Sequence, residues 1–278
     1  MSLMIKKSLL TFLGILFFNT LIFSQSDTTV KKERFHQRVY YDVTNTAKAV
    51  IYVYKRPFTW KKKEWKIFGA VAGTSIAVSF LDEPINDYFK KNQTHFQNEV
   101  ASFGNFMGQP EYQGPFLVAF WGLGVTSNNE WIRTTSTMLA ASMAASGMIQ
   151  TFSKEAVGRA RPSSGDGNTS FKPFGGKAYH SFPSGHTMLS ISSSWIMARQ
   201  VNFLPLKIVF YTIPAIVGWS RLYNNAHWFS DIILGSALGI ASAEAVIRYY
   251  STIKKKDRSQ AGLTVLPRGD GVSLIYRF

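Results

Sequence analysis

The chain has 278 residues, with 31 Lys and Arg against 16 Asp and Glu, and no cysteine. Its formal charge of +15 and pI of about 9.9 suit an anionic ligand or an anionic lipid surface. The missing cysteine excludes disulfides and thiolate-held metals, and no zinc-finger spacing or RNP-type motif speaks for nucleic acid.

Residues 1–24 read as a secretory signal, with Lys6 and Lys7 before the apolar run Leu9–Phe23, and Ser24 and Ser26 near a cut site. An uncleaved anchor helix is the competing reading. Residues 25–66 read as a basic, aromatic arm with a short helix near Val43–Tyr54. Within it, the run Lys61-Lys62-Lys63-Glu64-Trp65-Lys66, flanked by Trp60, is either a solvated charged face or a membrane-surface anchor.

Apolar-rich segments at Ile67–Leu81, Gly114–Thr126, Trp131–Ser153, Thr187–Gln200, Leu206–Leu222 and His227–Thr252 predict six helices. No alternating pattern interrupts them, so residues 67–253 are expected to form one all-α domain. The second half of Trp131–Ser153 is rich in Ala, Ser and Gly, which lets helices approach closely. Between the first two helices, Asp82–Gln113 reads as a long linker holding His95, Gly104, Gly108 and Pro110. Such a loop suggests a lid or substrate rim, with His95 on the surface.

Three stretches carry chemistry. In the first, Lys154 and Arg161 stand seven residues apart, nearly two helical turns, so both can face one site. Pro162 biases Arg161 towards an extended backbone and ends the helix. Arg159 falls on another face and reads as a solvated or supporting charge. The plain alternative is a basic helix end that complements the macrodipole. The polar loop Arg161–Phe182, which includes His180, is expected to border the site.

The second stretch is Pro183-Ser184-Gly185-His186, ahead of an apolar run. Ser184 or a neighbour can cap the helix that follows, and Gly185 lets a ligand approach the backbone. The free N–H groups there suit an anion. His186 would then stand where it can protonate a leaving oxygen. An ordinary cap with an incidental His is the alternative.

The third runs from Ser220 to Asp231. His227 and Asp231 are four residues apart, so on one helix they would share a face. The carboxylate could then orient the ring, leaving its other nitrogen free to attack. The Arg221 guanidinium, upstream, fits a phosphoryl group.

In order, these read K-x6-RP, PSGH and SR-x5-H-x3-D. The set resembles the signature of the type 2 phosphatidic acid phosphatase family, whose superfamily includes class A acid phosphatases and vanadium haloperoxidases. The resemblance covers about Lys154 to Asp231. It implies a six-helix core bundle and a phosphomonoesterase that uses no metal. By that resemblance, His227 is the nucleophile that forms a phosphohistidine, Asp231 orients it, and His186 is the general acid. Lys154, Arg161, Ser184, Gly185 and Arg221 hold the phosphate. Vanadate would act as an inhibitor, or as the cofactor if the chain follows the haloperoxidase branch.

Residues 254–278 read as a basic linker and a hairpin, with Leu263–Leu266 and Val272–Phe278 flanking Arg268-Gly269-Asp270-Gly271. Basic runs at Lys61–Lys66 and Lys254–Lys256 would both lie in the cytoplasm by the positive-inside rule, with the site outside. A cleaved signal followed by six spans would give the opposite placement, and a mean hydropathy of −0.02 is low for six spans. The expectation is an exported envelope protein, periplasm-facing and in contact with a membrane.

The leading substrate is a lipid phosphate or diphosphate, of the phosphatidate, undecaprenyl diphosphate or lipid A type, with a soluble phosphate ester as alternative. A vanadium-dependent haloperoxidase and a non-enzymatic binder of anionic lipid are the other classes. The motifs alone do not separate the first two.

Overall fold

The apolar-rich segment Trp131–Ser153 becomes a central helix of the bundle. The Asn129 side chain caps it by accepting from the Ile132 N–H at 3.0 Å. It ends at Gly158, where the backbone turns left-handed at φ 59° and a Cβ would strike the Lys172 carbonyl. Between these ends Ala141, Ser142, Ala145 and Ser146 are fully buried. These small side chains let the neighbouring helices pack close, as the Ala/Ser/Gly content implied.

The computed structural model describes residues 34–260, 262–268 and 271–277, with side chains described for 34–254. The expected signal, residues 1–24, lies outside the described residues. In chain order the helices are α1 (Phe35–Lys55), α2 (Lys62–Val78), α3 (Asp82–Lys91), α4 (His95–Gly108), α5 (Pro110–Ser127), α6 (Glu130–Val157), α7 (Gly185–Gln200), α8 (Leu204–Tyr223) and α9 (Phe229–Gln260). Two strands follow, β1 (Gly262–Arg268) and β2 (Gly271–Arg277), paired antiparallel from Gly262↔Arg277 to Arg268↔Gly271. The core lies where α1, α6, α7 and α9 meet, around Ala49, Val53, Leu139, Ile196, Ala243 and Val246.

Six of these helices, α2 and α5 to α9, match the six expected segments. The architecture is all-α, with the hairpin as its only sheet among the described residues.

Three departures have physical causes. The stretch read as an arm contains a 21-residue helix packed in the core. Its inward face carries Asp42, which looks solvent-bound in sequence but is 4% exposed. Arg133 donates to it from Nη2 at 2.8 Å and from Nε at 3.1 Å, and Trp121 Nε1 adds a bond at 2.9 Å. A buried charge paired in this way no longer opposes folding.

The second departure is the linker 82–113, which is no long loop. It holds α3 and α4, and Pro110 opens α5. A reciprocal cap starts α4: the Gln97 N–H donates to Thr94 Oγ1, and the Thr94 N–H donates to Gln97 Oε1. The glycines that suggested a loop instead form a packing face. A Cβ on Gly104 would stand 2.8 Å from Ser220 Cβ, and one on Gly108 would stand 2.8 Å from Val217 Cγ1. His95 is exposed, as read.

The third departure concerns the last helix. It starts at Phe229 rather than His227, and it continues to Gln260, past the expected boundary at 253. Its segment Phe229–Lys254 is long and apolar enough to cross a membrane, and half of that window is buried in the bundle.

Candidate active site

Four helix ends gather at one end of the bundle: the C-termini of α6 and α8 and the N-termini of α7 and α9. Lys154 lies in the last turn of α6 and Arg221 in the last turn of α8. His186 lies in the first turn of α7, and Asp231 in the first turn of α9. The antiparallel order of α6 to α9 brings residues from 154 to 231 into one place.

The loop between α6 and α7 is held by backbone bonds. Ala160 N–H donates to Ser170 O, Arg161 N–H to Ala178 O, and Ser181 N–H to Arg159 O. Arg161 is extended, with φ −77° and ψ 153°, as the following proline requires. Its Nη1 donates to the Ala226 carbonyl at 3.0 Å, beside His227.

His227 sits in the bend before α9 and is 2% exposed. Its Nδ1 lies 2.6 Å from the Ser181 carbonyl and 4.0 Å from Asp231 Oδ2. This corrects the expected direct hold by Asp231. The two residues do not share a helix, so the i, i+4 geometry fails. The ring donates from Nδ1 to a backbone carbonyl, which leaves Nε2 as the lone-pair nitrogen.

Asp231 acts through the backbone and its neighbours. Its Oδ2 accepts from Ser181 Oγ at 2.5 Å and from the Trp228 N–H at 3.0 Å. Its Oδ1 accepts from Arg159 Nη1 at 2.7 Å. It therefore positions both residues that frame His227: Ser181, whose carbonyl holds the ring, and Trp228, the next residue in the chain.

Of the two readings of Arg159, solvated or supporting, the structure gives the supporting one: it is 4% exposed. Its Nη1 reaches Ser230 Oγ as well as Asp231, its Nη2 reaches Asp82 Oδ2 at 2.7 Å, and its Nε reaches the Asn168 carbonyl. Asp82 in turn accepts from the Ser230 N–H and Oγ. The only hint in sequence was an arginine between two others, with no way to see that Asp82 returns 77 residues away.

The remaining cations have no carboxylate. Among the described residues, Lys154, Arg161 and Arg221 make no ion pair; Arg221 Nη1 binds only the amide oxygen of Asn105. They repel one another instead. Burial, then Arg161 and Arg221, push the Lys154 ammonium down to about 8. Burial and Arg161 push Arg221 down to about 10. Burial lowers His227 well below its ordinary value, and Arg161, Arg221 and Lys154 add to that. His186 falls to about 3, from burial first and then from Arg221, Lys154 and Arg161. Concentrated positive charge in a partly dry site is a receptor for a multiply charged anion.

Ser184 precedes α7 but makes no side-chain cap; its Oγ pairs with Thr187 Oγ1 at 2.9 Å and its N–H donates to the Asp231 carbonyl. A Cβ on Gly185 would overlap the Gln150 amide group, so that side chain would have to shift to admit one. Gly108 of α4 performs a similar service, since a Cβ would come within 3.0 Å of His186 Cβ. His180 does not join the cluster: its Nε2 lies 3.1 Å from Glu155 Oε1.

A family model described as the PAP2 superfamily matches residues 136–255. The match takes in 120 of the 278 residues. All eight expected site residues fall inside the PAP2 segment, whereas Asp82, Asn105 and Gly108 lie before it. Over 97 residues, 34% of this chain, the sequence is 36% identical to a lipid A 1-phosphatase of Rhizobium johnstonii, covering 39% of that protein. Over 107 residues, 38% of this chain, it is 31% identical to a lipid A 1-phosphatase of Porphyromonas gingivalis, covering 21% of that protein. The matched region thus spans well under half of either relative. Among solved structures, a transmembrane PAP2-type phosphatidylglycerolphosphate phosphatase from Bacillus subtilis superposes with a TM-score of 0.55 at 21% identity. That match covers 70% of this chain and 99% of the other, and it establishes the PAP2 helical fold.

Proposed function

We propose that this chain is a metal-independent phosphatase that removes phosphate from a lipid at a membrane, through a phosphohistidine on His227. The observation that carries the reading is the trio Lys154, Arg161 and Arg221, without counter-carboxylates, around a buried and neutral His227. Likeness to two lipid A 1-phosphatases supports a phosphorylated lipid of that type as substrate.

In this mechanism the three cations bind the phosphoryl oxygens and take up the charge of the transition state. Nε2 of His227 attacks phosphorus as the bond to the leaving oxygen breaks, and His186 gives that oxygen its proton. Water then attacks the phosphohistidine, His186 takes the water's proton, and the P–N bond breaks to free phosphate. Ser181 and Asp231 hold the His227 ring in the attacking tautomer. Burial is the largest cause of the low His186 value, and the three cations add to it; a bound phosphate offsets those cations and so raises the proton affinity of the ring. Charge neutralisation by side chains leaves no step that needs a metal.

The test is phosphate release by the full chain in detergent with EDTA present, wild type beside His227→Ala. The substrates are phosphorylated lipid A, phosphatidate, undecaprenyl diphosphate and p-nitrophenyl phosphate. Turnover of a lipid that disappears in the variant is the expected result. Equal turnover in both proteins overturns the nucleophile, and preference for p-nitrophenyl phosphate overturns the lipid assignment.

A further inference from the structure

The corner between α1 and α2 combines features that the catalytic reading leaves unused. Trp60, Trp65 and Phe68 form one aromatic cluster, with ring centroids 5.0 Å apart for Trp60–Trp65, 5.6 Å for Trp60–Phe68 and 5.9 Å for Trp65–Phe68. Trp65 is 51% exposed, and Phe58, on the connecting turn, is 91% exposed. In a protein surrounded only by water, such a cluster would gain by burying these rings.

The charges beside the rings identify what covers them. Lys61, Lys62, Lys63 and Lys66 are all exposed. The one acidic residue of the run, Glu64, is already engaged: its Oε2 accepts from the Lys61 N–H at 2.7 Å, and its Oε1 from Arg56 Nη2 at 3.0 Å. That N–H first, then Arg56 and Arg248, hold its carboxyl below the ordinary value, which brings the cationic Arg248 of α9 to the same corner. Among the described residues, these lysines are therefore left without a local counterion.

The helix that leaves this corner continues the argument. Among the residues of α2 only Ser75 is buried, while Ile67 and Ile76 are 54% and 68% exposed. Indole rings at the start of an exposed apolar helix, ringed by lysines, match the boundary between a headgroup layer and hydrocarbon. A nucleic acid would use the cations but leave the apolar flank of α2 in water.

We infer that the α1–α2 corner, with Trp60, Trp65 and Phe68 inserted and Lys61, Lys62, Lys63 and Lys66 around them, docks onto an anionic phospholipid headgroup layer. This contact is independent of the phosphatase assignment, and its test reads no turnover. The chain has no cysteine, so Phe58→Cys gives a unique label site for an environment-sensitive fluorophore. The labelled full chain is reconstituted into phosphatidylcholine vesicles with or without about 30 mol% phosphatidylglycerol.

The expected result is a blue-shifted emission and a several-fold loss of soluble-quencher access with phosphatidylglycerol. Both should be reversed by about 0.5 M salt. A quadruple Lys→Gln variant at 61, 62, 63 and 66, checked for unchanged thermal unfolding, should lose the difference between the two lipids. Equal signals in both lipids, or a response that survives the lysine changes, overturn the inference. So does the same blue shift with RNA in the absence of lipid, which would assign the corner to polyanions in general.

Discussion

Arg133 and Arg159 are both nearly sealed from water, 7% and 4% exposed, and each grips a carboxylate at 2.7–2.8 Å. Around Arg133 the account closes: Asp42 takes its charge, and Trp121 fills the remaining bond to the carboxylate. Around Arg159 it does not. Two carboxylates and Ser230 Oγ bind this guanidinium, and beyond them Lys154, Arg161 and Arg221 make no ion pair among the described residues. The two clusters lie towards opposite ends of α6; Arg133 and Lys154 are separated by about 30 Å of helix at 1.5 Å per residue. The cluster with complete partners holds the bundle together. The one left with excess positive charge is suited to an anion, and its Arg159–Asp82–Asp231 part supplies the backing.

This contrast can be broken by mutation. The largest effect is expected at the proposed nucleophile: His227→Ala should lower phosphate release by about 10⁴-fold or more, measured as single-turnover rates, with little change in thermal unfolding. At the other end, Arg133→Met strands Asp42 as a buried unpaired charge. It should cost about 3–5 kcal/mol in denaturant unfolding while the folded fraction keeps its kcat. If Arg133→Met instead abolished turnover in protein shown to be folded, the division into a structural and a reactive cluster would fall.

Lys154→Ala should reduce kcat/KM by roughly 10²-fold and leave stability equal or higher, because it relieves repulsion with Arg161 and Arg221. A loss of stability would mean that Lys154 belongs to the structural class. Gly108→Ala presses on His186 and Val217; it should cost about tenfold in kcat with KM held, and the smaller Gly114→Ala change, at a site with open space, should do nothing. The mildest test is pH. Because burial, Arg161 and Arg221 push the Lys154 ammonium down to about 8, competitive inhibition by orthophosphate should weaken as pH rises through that value. In Lys154→Ala this particular dependence should vanish.

The sequence announced the reactive cluster more clearly than its support. Lys154, Arg161, His186 and Arg221 are legible because each lies close in sequence to a helix end or a proline, and local spacing predicts where such residues point. The i, i+4 spacing of His227 and Asp231 was legible too, but it pointed to the wrong contact, since the helix that would make it starts two residues late. Arg159 left two readings open, solvated or supporting, for a general reason. A charged residue looks solvated until its partner arrives from far along the chain: 77 residues for Asp82–Arg159 and 91 for Asp42–Arg133. The glycines of α4 misled in a different way. Glycine marks loops by default, and only the nearness of Ser220 and Val217 shows that Gly104 and Gly108 are there for close packing.

Asp231 illustrates how hard it is to choose an informative knockout. Its carboxylate accepts from Arg159, Ser181 and the Trp228 N–H, and its carbonyl accepts from the Ser184 N–H that precedes α7. One residue thus fastens the starts of two helices, balances a buried guanidinium and steadies the ring of His227. An inactive Asp231→Ala protein would keep the carbonyl bond but be ambiguous among three lost tasks, and a screen that scored activity alone would rank it beside His227→Ala. Removing His227 leaves all four of those bonds standing, so it is the deletion whose silence can be interpreted.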